Sequence, residues 1–415
     1  MHATHSARPD ASHRSSGYVC VHNRDRDSYQ VALALHEADR LEQLVTDFYA
    51  GRSARFLPGF LARRFHPELL ADRTRSVWLS LVLQYGAQAL RMPMDRIFPY
   101  SDRLLGAAAV RRARRTGAGL YAYSSYLTGD PRLGPAQPVI DFEYHPHPAL
   151  SLDILAADFA RHPEVTESFA AEQNIAAHQT GSEAWRWAHA VVCASSMTRR
   201  SLEFAGCPGD LITVIPYGAD VLRSPPRARE PGPCRFLFVG QGIQRKGLHH
   251  LASAWRAARL AGTAELTVVA YRMDPGIGAL LDQPGIRVLG RQSDTALAAL
   301  FDAADVFVMP SLIEGFGLVY LEALQAGCHV VGTVNTGLPD LALPDHAATV
   351  LEPGDCAALA DRLTGLVRTV SRGGLDRMAI FAEARRWQWA DFRTAIAEHA
   401  LRVEAGRRNP EEQTP

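Results

Sequence analysis

The C-terminal half of this 415-residue chain alternates short apolar runs with helical stretches at a pitch that few folds accept. Beyond Cys234 the candidate strands are Arg235–Val239, Leu266–Ala270, Ile286–Leu289, Val306–Met309, His329–Gly332 and Ala348–Leu351. Each is short and apolar, and helical spacing separates each from the next. Strands of this kind interleaved with helices predict a parallel, doubly wound sheet. Such sheets bind ligands beyond the carboxyl ends of their strands.

The N-terminal half reads as a second series of the same type. Tyr18–His22 and Leu41–Phe48 are strand candidates flanking a helical stretch over Tyr29–Ala38. Residues 53–116 read as mostly helical and arginine-rich. Gly119–Tyr123, Pro138–Phe142, Val191–Ala194 and Leu211–Ile215 are further strands, and residues 150–190 are helical. Ser195 or Ser196 is suited to cap the helix after Val191–Ala194. Residues 218–233 hold Pro225, Pro226, Pro231 and Pro233 and show no period, as a linker would. The expected organisation is a tail over 1–16, a Rossmann-like domain over 17–217, a linker over 218–233 and a second Rossmann-like domain over 234–386. An amphipathic segment over 387–405 closes the chain. At 47% hydrophobic content, the length suffices for two cores.

The charges balance, 44 basic against 44 acidic residues, which speaks against nucleic acid as a partner. Six cysteines are scattered singly without a C-x-x-C pair, as expected of reduced thiols in a cytoplasmic protein. Met1–Gly17 lacks a signal peptide's apolar core, and no apolar run reaches the roughly 18 residues of a membrane span. Residues 52–66 mix phenylalanine and leucine with arginine, a pattern suited to peripheral contact at the inner face of a membrane or to a packed helix with snorkelling arginines.

All but one of the basic residues are arginine, and the single lysine is Lys246. It sits in Gly240-Gln241-Gly-Ile-Gln-Arg245-Lys246-Gly247, on what reads as an exposed glycine turn after a buried strand. Two adjacent cations there suit an anionic leaving group. A second segment, Glu314-Gly315-Phe316-Gly317-Leu318-Val-Tyr-Leu-Glu322, places one carboxylate in the loop after a strand and another one turn into a helix. Gly315 and Gly317 permit a tight turn and close approach of backbone to a ligand. The helix start offers free N–H groups for a diphosphate, and Glu322 can accept from a ribose diol. A third turn, Gly290-Arg-Gln292-Ser-Asp294, can frame a base. Asp25-Arg26-Asp27 has the form of a metal-binding D-x-D, but Asp27 also suits a helix N-cap. No metal or other cofactor is expected.

Taken together and in this order, these segments resemble glycosyltransferase family 4. The likeness extends to Ala303-Ala-Asp-Val306, Pro310-Ser311 and Gly337-Leu-Pro-Asp340. The resemblance implies a GT-B fold, with two Rossmann-like domains facing a central cleft and the 387–405 helix crossing back to the N-terminal one. It implies an acceptor-binding N-terminal domain and a donor-binding C-terminal domain. It further implies retaining transfer of a hexose from a GDP- or UDP-sugar to a saccharide, lipid-linked or small-molecule hydroxyl, in polysaccharide or glycolipid assembly. Lys246 and Arg245 would hold the diphosphate, Glu314 would lie at the transferred sugar and Glu322 at the ribose. The amides of Phe316 to Leu318 would meet sugar and phosphate. Gly240, Gln241, Gly290 and Gln292 complete the donor set. Gln241 replaces the family's usual arginine, with Arg245 close by to supply the charge, and Asp340 stands where glutamate is more usual. On the acceptor side the candidates are Arg26, Ser28, His145 and His147. A sugar-nucleotide epimerase on the same fold and a non-catalytic nucleotide-sugar binder are the alternatives.

Overall fold

A computed structural model describes residues 17–51, 56–57, 59–179, 182–220, 225–229 and 232–408. The expected tail over 1–16 and linker positions 221–224 and 230–231 lie outside the described residues. Two parallel sheets organise the rest. The first contains β1 (Tyr18–Val21), β2 (Leu41–Thr46), β3 (Thr74–Ser76), β4 (Gly119–Tyr123), β5 (Val139–Glu143), β6 (Ala190–Cys193) and β7 (Ile212–Val214). Its strand order is β3-β2-β1-β4-β5-β6-β7. The second contains β8 (Cys234–Val239), β9 (Ala264–Val269), β10 (Ile286–Leu289), β11 (Val306–Val308), β12 (His329–Thr333) and β13 (Ala348–Leu351), in the order β10-β9-β8-β11-β12-β13. Both orders reverse beside the first strand, between β1 and β4 and between β8 and β11. These two switch points are where a doubly wound sheet opens a crevice for a ligand.

Residues 53–116 are mostly helical where described, as expected, but they also hold a strand. β3 is a polar three-residue edge strand held by pairing with β2, from Leu44↔Thr74 to Thr46↔Ser76. No period in so short a polar run announces it. The expectation for 150–190 needs correction, because it is not one helical stretch. Helices Pro148–Phe159 and Thr166–His178 are broken at Pro163, and Ala184–Trp187 is a single 3-10 turn.

The last helix, Trp389–Arg408, lies against the N-terminal sheet's first helix, Gln30–Glu37. The Tyr18 hydroxyl donates to the Ala400 carbonyl at 2.9 Å, and Arg393 pairs with Glu37 at 2.8 Å. The chain crosses between domains twice at one point. A Cβ on Gly218 would lie 2.2 Å from the Gln388 backbone carbon, so only glycine fits that crossing.

Helices Pro148–Phe159 and Thr166–His178 carry the N-terminal domain onto the C-terminal one. Their hub is Asp158, buried, whose carboxylate accepts from Gln244 Nε2 at 2.9 Å and faces His249 Nε2 at 3.1 Å and His250 Nε2 at 2.7 Å. Burial alone would raise its pKa. The hydrogen bonds from His249 and His250 outweigh that and hold it well below the usual carboxylate range. A depressed carboxylate stabilises the folded state above its unfolded pKa of about 3.9, and that contribution drains away as pH falls below it. Each buried donor left without an acceptor costs about 1–3 kcal/mol. Asp158→Ala is therefore expected to lower unfolding free energy by at least about 3 kcal/mol at neutral pH, with the deficit shrinking towards pH 3. Urea denaturation at both pH values checks this.

The expected membrane segment over 52–66 does not form an amphipathic helix in its described part. Residues 52–55 and 58 lie outside the described residues, and the helix is only Gly59–Ala62. Its two described arginines are engaged: Arg63 with Asp294 at 3.1 Å, and Arg64, buried, with Asp47. No helix among the described residues is long and apolar enough to cross a membrane.

Candidate active site

The second switch point brings the two strongest sequence segments together. After β8 the chain makes a 3-10 turn over Gln244–Lys246 and enters helix Leu248–Ala257 through Gly247, at φ +67°. A Cβ on Gly247 would sit 1.9 Å from the Pro310 carbonyl oxygen, so the turn after β8 and the loop after β11 are interlocked by a glycine. Leu312 N–H donates to the Arg245 carbonyl at 2.9 Å, tying the same two loops.

Across this junction Arg245 Nη1 meets Glu314 Oε2 at 3.0 Å, and Lys246 Nζ bonds the same oxygen. Arg245 Nε also lies 3.5 Å from Glu172 on helix Thr166–His178 of the other domain. Burial alone would raise the Glu314 pKa, but Arg245 and then Lys246 hold it well below the usual range. Burial lowers the Lys246 pKa, and Glu314 opposes that. Lys246 does not occupy an exposed turn, because its side chain is only 14% exposed. The loop after β11 covers it. No local pattern in the sequence announces Glu172, since its role depends on how the domains dock.

The Glu314–Glu322 loop is pinned from both sides. Gly315 approaches protein backbone: a Cβ there would lie 2.3 Å from the Tyr144 carbonyl oxygen of the N-terminal domain. The Gly315 carbonyl accepts from Ser195 Oγ and, at 3.2 Å, from Thr198 Oγ1. Ser195 also caps helix Ser196–Phe204, as expected. Next to it the Asp340 carboxylate accepts from Ser196 N–H at 3.0 Å, a second tie across the cleft. Phe316 is buried against Tyr217, with ring centroids 5.4 Å apart. Gly317 has φ +92° and turns the chain into helix Val319–Gln325, with Leu318 as its cap residue. That helix has only seven residues, so it offers first-turn amides rather than a long dipole. Glu322 stands exposed on it. Gln241 is tied to the Tyr271 hydroxyl, and Gln292 Nε2 donates to the Gly290 carbonyl at 3.0 Å within its own turn. Gly240 N–H is held by the Val269 carbonyl at 3.0 Å.

The first switch point opens a cavity of about 840 Å³. Asn23 to Asp27 after β1, Ser125 and Tyr126 after β4, His145, Asp102 and Arg272 contribute to its wall. The Arg26 guanidinium lies 3.7 Å from the Tyr144 ring centroid, a cation–π contact. His145 is open to solvent but deep between the domains. The enclosing protein, followed by Arg245 and Arg26, lowers its pKa below the usual histidine value, which favours the neutral imidazole. A smaller cavity of about 300 Å³ shares His145 and Arg272 and adds Arg245 and Gln241. His145 thus stands between the two halves of the cleft.

The other acceptor-side candidates are placed differently. His147 caps helix Pro148–Phe159, its Nδ1 accepting from Ala149 N–H at 3.2 Å. It lines neither cavity. Ser28 is exposed in a left-handed turn, at φ 49°. Asp27 is not a helix N-cap. Its carboxylate turns inward to accept from Tyr123 at 3.0 Å and Tyr217 at 2.7 Å. The expectation missed Asp102, which burial raises to about pKa 7 against the opposing charges of Arg26 and Arg24. It also missed the buried pair Asp141 and Glu143. Burial pushes Glu143 up, and burial and then Glu143 push Asp141 well above its usual value. Neither titrates visibly from sequence, because both depend on what packs over them.

One further cluster has metal-ligand chemistry. Asp158, His162 and His250 each bring a ligand atom within 4.8 Å of the others, in the domain junction. Both Asp158 oxygens already face histidine or glutamine nitrogens, so the group is satisfied by internal hydrogen bonds.

Residues 233–369, the whole second sheet and the loops at its switch point, match the family described as glycosyl transferases group 1. A glycogen synthase of Mycobacterium tuberculosis (strain ATCC 25618 / H37Rv) is 31% identical over 296 residues, 65% of this chain and 69% of that protein. The chain belongs to the group 1 glycosyl transferases. An MMP alpha-(1->4)-mannosyltransferase of Mycolicibacterium hassiacum is 30% identical over 210 residues, 48% of this chain and 51% of that protein. Sucrose-phosphate synthase from Thermosynechococcus elongatus superposes with a TM-score of 0.65 at 16% identity, covering 94% of this chain and 99% of that one. Anabaena Alr3699/HepE in complex with UDP-glucose superposes with a TM-score of 0.56 at 18% identity, covering 93% and 99%. At these identities the structures speak to the fold alone. That fold is GT-B: two Rossmann-like domains about a central cleft. As a member of this family the chain is a glycosyltransferase.

Proposed function

We propose that this enzyme is a retaining, family 4 hexosyltransferase that moves a sugar from a GDP- or UDP-sugar to a hydroxyl acceptor in polysaccharide or glycolipid assembly. The observation that carries this reading is the convergence of Lys246 and Arg245 on Glu314 at the β8/β11 switch point. Two desolvated cations at that place suit the β-phosphate of a nucleoside diphosphate as its bond to the sugar breaks. Glu314 lies beside them for the transferred sugar, and Glu322 and the turn at Gly290 take the ribose and base. His145, neutral and set between both halves of the cleft, contacts the sugar or the acceptor hydroxyl. Negative charge grows on the leaving phosphate and positive charge at the anomeric carbon, and the leaving phosphate takes the acceptor's proton. The names of two relatives, a glycogen synthase and an MMP alpha-(1->4)-mannosyltransferase, support the substrate class.

A thermal-shift screen of GDP- and UDP-sugars, followed by a transfer assay with the best ligand, tests the reading. No stabilisation by any nucleotide sugar would reject it, and conversion of the donor sugar to its epimer without an acceptor would favour an epimerase. Because Asp27 is engaged by two tyrosine hydroxyls, Asp25 and Asp27 do not form a metal pair in this reading. EDTA is then expected to leave turnover unchanged. Strict dependence on manganese or magnesium would return the D-x-D to the mechanism.

A further inference from the structure

Among the described residues, eleven of the nineteen large apolar side chains that stand exposed fall between Phe56 and Tyr100. Their centre is helix Trp78–Ala89, which turns more of its large apolar side chains outward than inward. Its buried side is mixed: Leu81 packs with Phe48 and Ala50 and Ala87 is buried beside it, while Ser80 Oγ lies 2.5 Å from Ser101 Oγ and Gln84 Nε2 donates to Ser101 Oγ at 2.7 Å. Its outer side carries Trp78, Leu79, Val82 and Leu83, with Val82 62% exposed, and the chain continues through Leu90 and Met92, also exposed. The helix contains no charged residue. A water-facing helix surface is ordinarily polar, so a contiguous apolar face marks a surface that is covered in use.

The charges around this face indicate what covers it. Between Arg73 and Tyr100 the sequence holds Arg73, Arg75, Arg91 and Arg96 against a single acid, Asp95, in a chain with no net charge. Tryptophan, leucine and valine bordered by arginine match the boundary between acyl chains and anionic headgroups. A second copy of the chain is disfavoured, because a two-fold contact would set the same arginine rim against itself. The adjoining helix, Met94–Thr116, links the face to the cleft. Tyr100 stands exposed on it, whereas Met94, Phe98, Pro99 and Asp102 line the 840 Å³ cavity.

We propose that the face formed by helix Trp78–Ala89 and residues 90–100 docks on an anionic lipid bilayer, and that the acceptor is a lipid-linked hydroxyl reaching the cavity from that surface. The acceptor half of this rests on the transfer reading; the docking half does not. The test uses the full chain, without donor, and vesicles of phosphatidylcholine alone or mixed with phosphatidylglycerol. Wild type should sediment with the anionic vesicles, less so at high salt, with a blue shift in tryptophan emission. Val82→Asp should lower the partition coefficient at least about tenfold, and Arg75→Ala and Arg96→Ala about fivefold each, with unchanged thermal midpoints. Wild type remaining in the supernatant, or Val82→Asp sedimenting equally well, would overturn docking. So would a concentration-dependent dimer that Val82→Asp dissociates. Nucleotide-sugar binding by Val82→Asp should match wild type. Its absence from both proteins would strike the transfer reading while leaving the vesicle result intact.

Discussion

Lys246→Ala is expected to reduce kcat/KM for sugar transfer by about 10²–10³-fold while leaving the protein folded. The lysine is desolvated, with 14% of its side chain exposed, and it reaches Glu314 from the turn after β8. In such a place a charge-assisted contact is stronger than one at the surface. A nucleoside diphosphate entering here meets two cations and two carboxylates, Glu314 and Glu172, that already balance them. The donor must therefore draw the cations away from their carboxylates, and the full benefit appears only as charge grows on the leaving phosphate. Removing the lysine deletes that late benefit. Arg245 still pairs with Glu314, so the buried carboxylate is not left alone and the stability cost stays below that of breaking an isolated buried pair. Lys246→Arg should recover only part of the rate, since the planar fork cannot reproduce a compact ammonium. Steady-state kinetics beside a thermal melt would check both parts, and near-native kcat/KM in Lys246→Ala would remove Lys246 from the site.

The sequence carries what is local and periodic. The alternation after Cys234 is legible because each strand is short and mostly apolar, with β11 and β12 buried throughout, and all six strands of the second sheet stand where the spacing places them. Ser195 as a cap and Gly317 as a left-handed turn are legible for the same reason, since each is set by a few neighbouring residues. Contacts across the cleft are not legible. Gly315 looks like a place for a ligand, yet its missing side chain makes room for the Tyr144 carbonyl. Asp27 looks like a cap, yet two tyrosines from β4 and the stretch after β7 turn it inward. Lys246 reads as exposed because nothing nearby in sequence covers it. The loop that does so lies more than sixty residues away, as the pairing of Lys246 with Glu314 shows.

Glu314→Gln and Glu322→Gln are expected to fail in opposite ways. Glu322 is exposed, one turn inside helix Val319–Gln325, and in the proposed reading a ribose there would be held equally in ground and transition states. Loss of such uniform binding raises KM and spares kcat. A hydrogen bond to a charged acceptor is worth about 1.5–3 kcal/mol, so KM for the donor should rise on the order of tenfold or more. Glu314 is buried, and Arg245 and Lys246 share its carboxylate. The glutamine variant keeps the shape and removes the charge that competes with the diphosphate for both cations. Donor KM should hold or fall. At the same time the charge facing the transferred sugar is gone when positive charge develops at the anomeric carbon, so kcat should fall by about 10²-fold. Initial rates with varied donor at saturating acceptor separate the two outcomes. A rise in KM alone, equal in both variants, would reject the division of roles. Wild-type kinetics in both would move the donor site away from the β8/β11 switch point altogether.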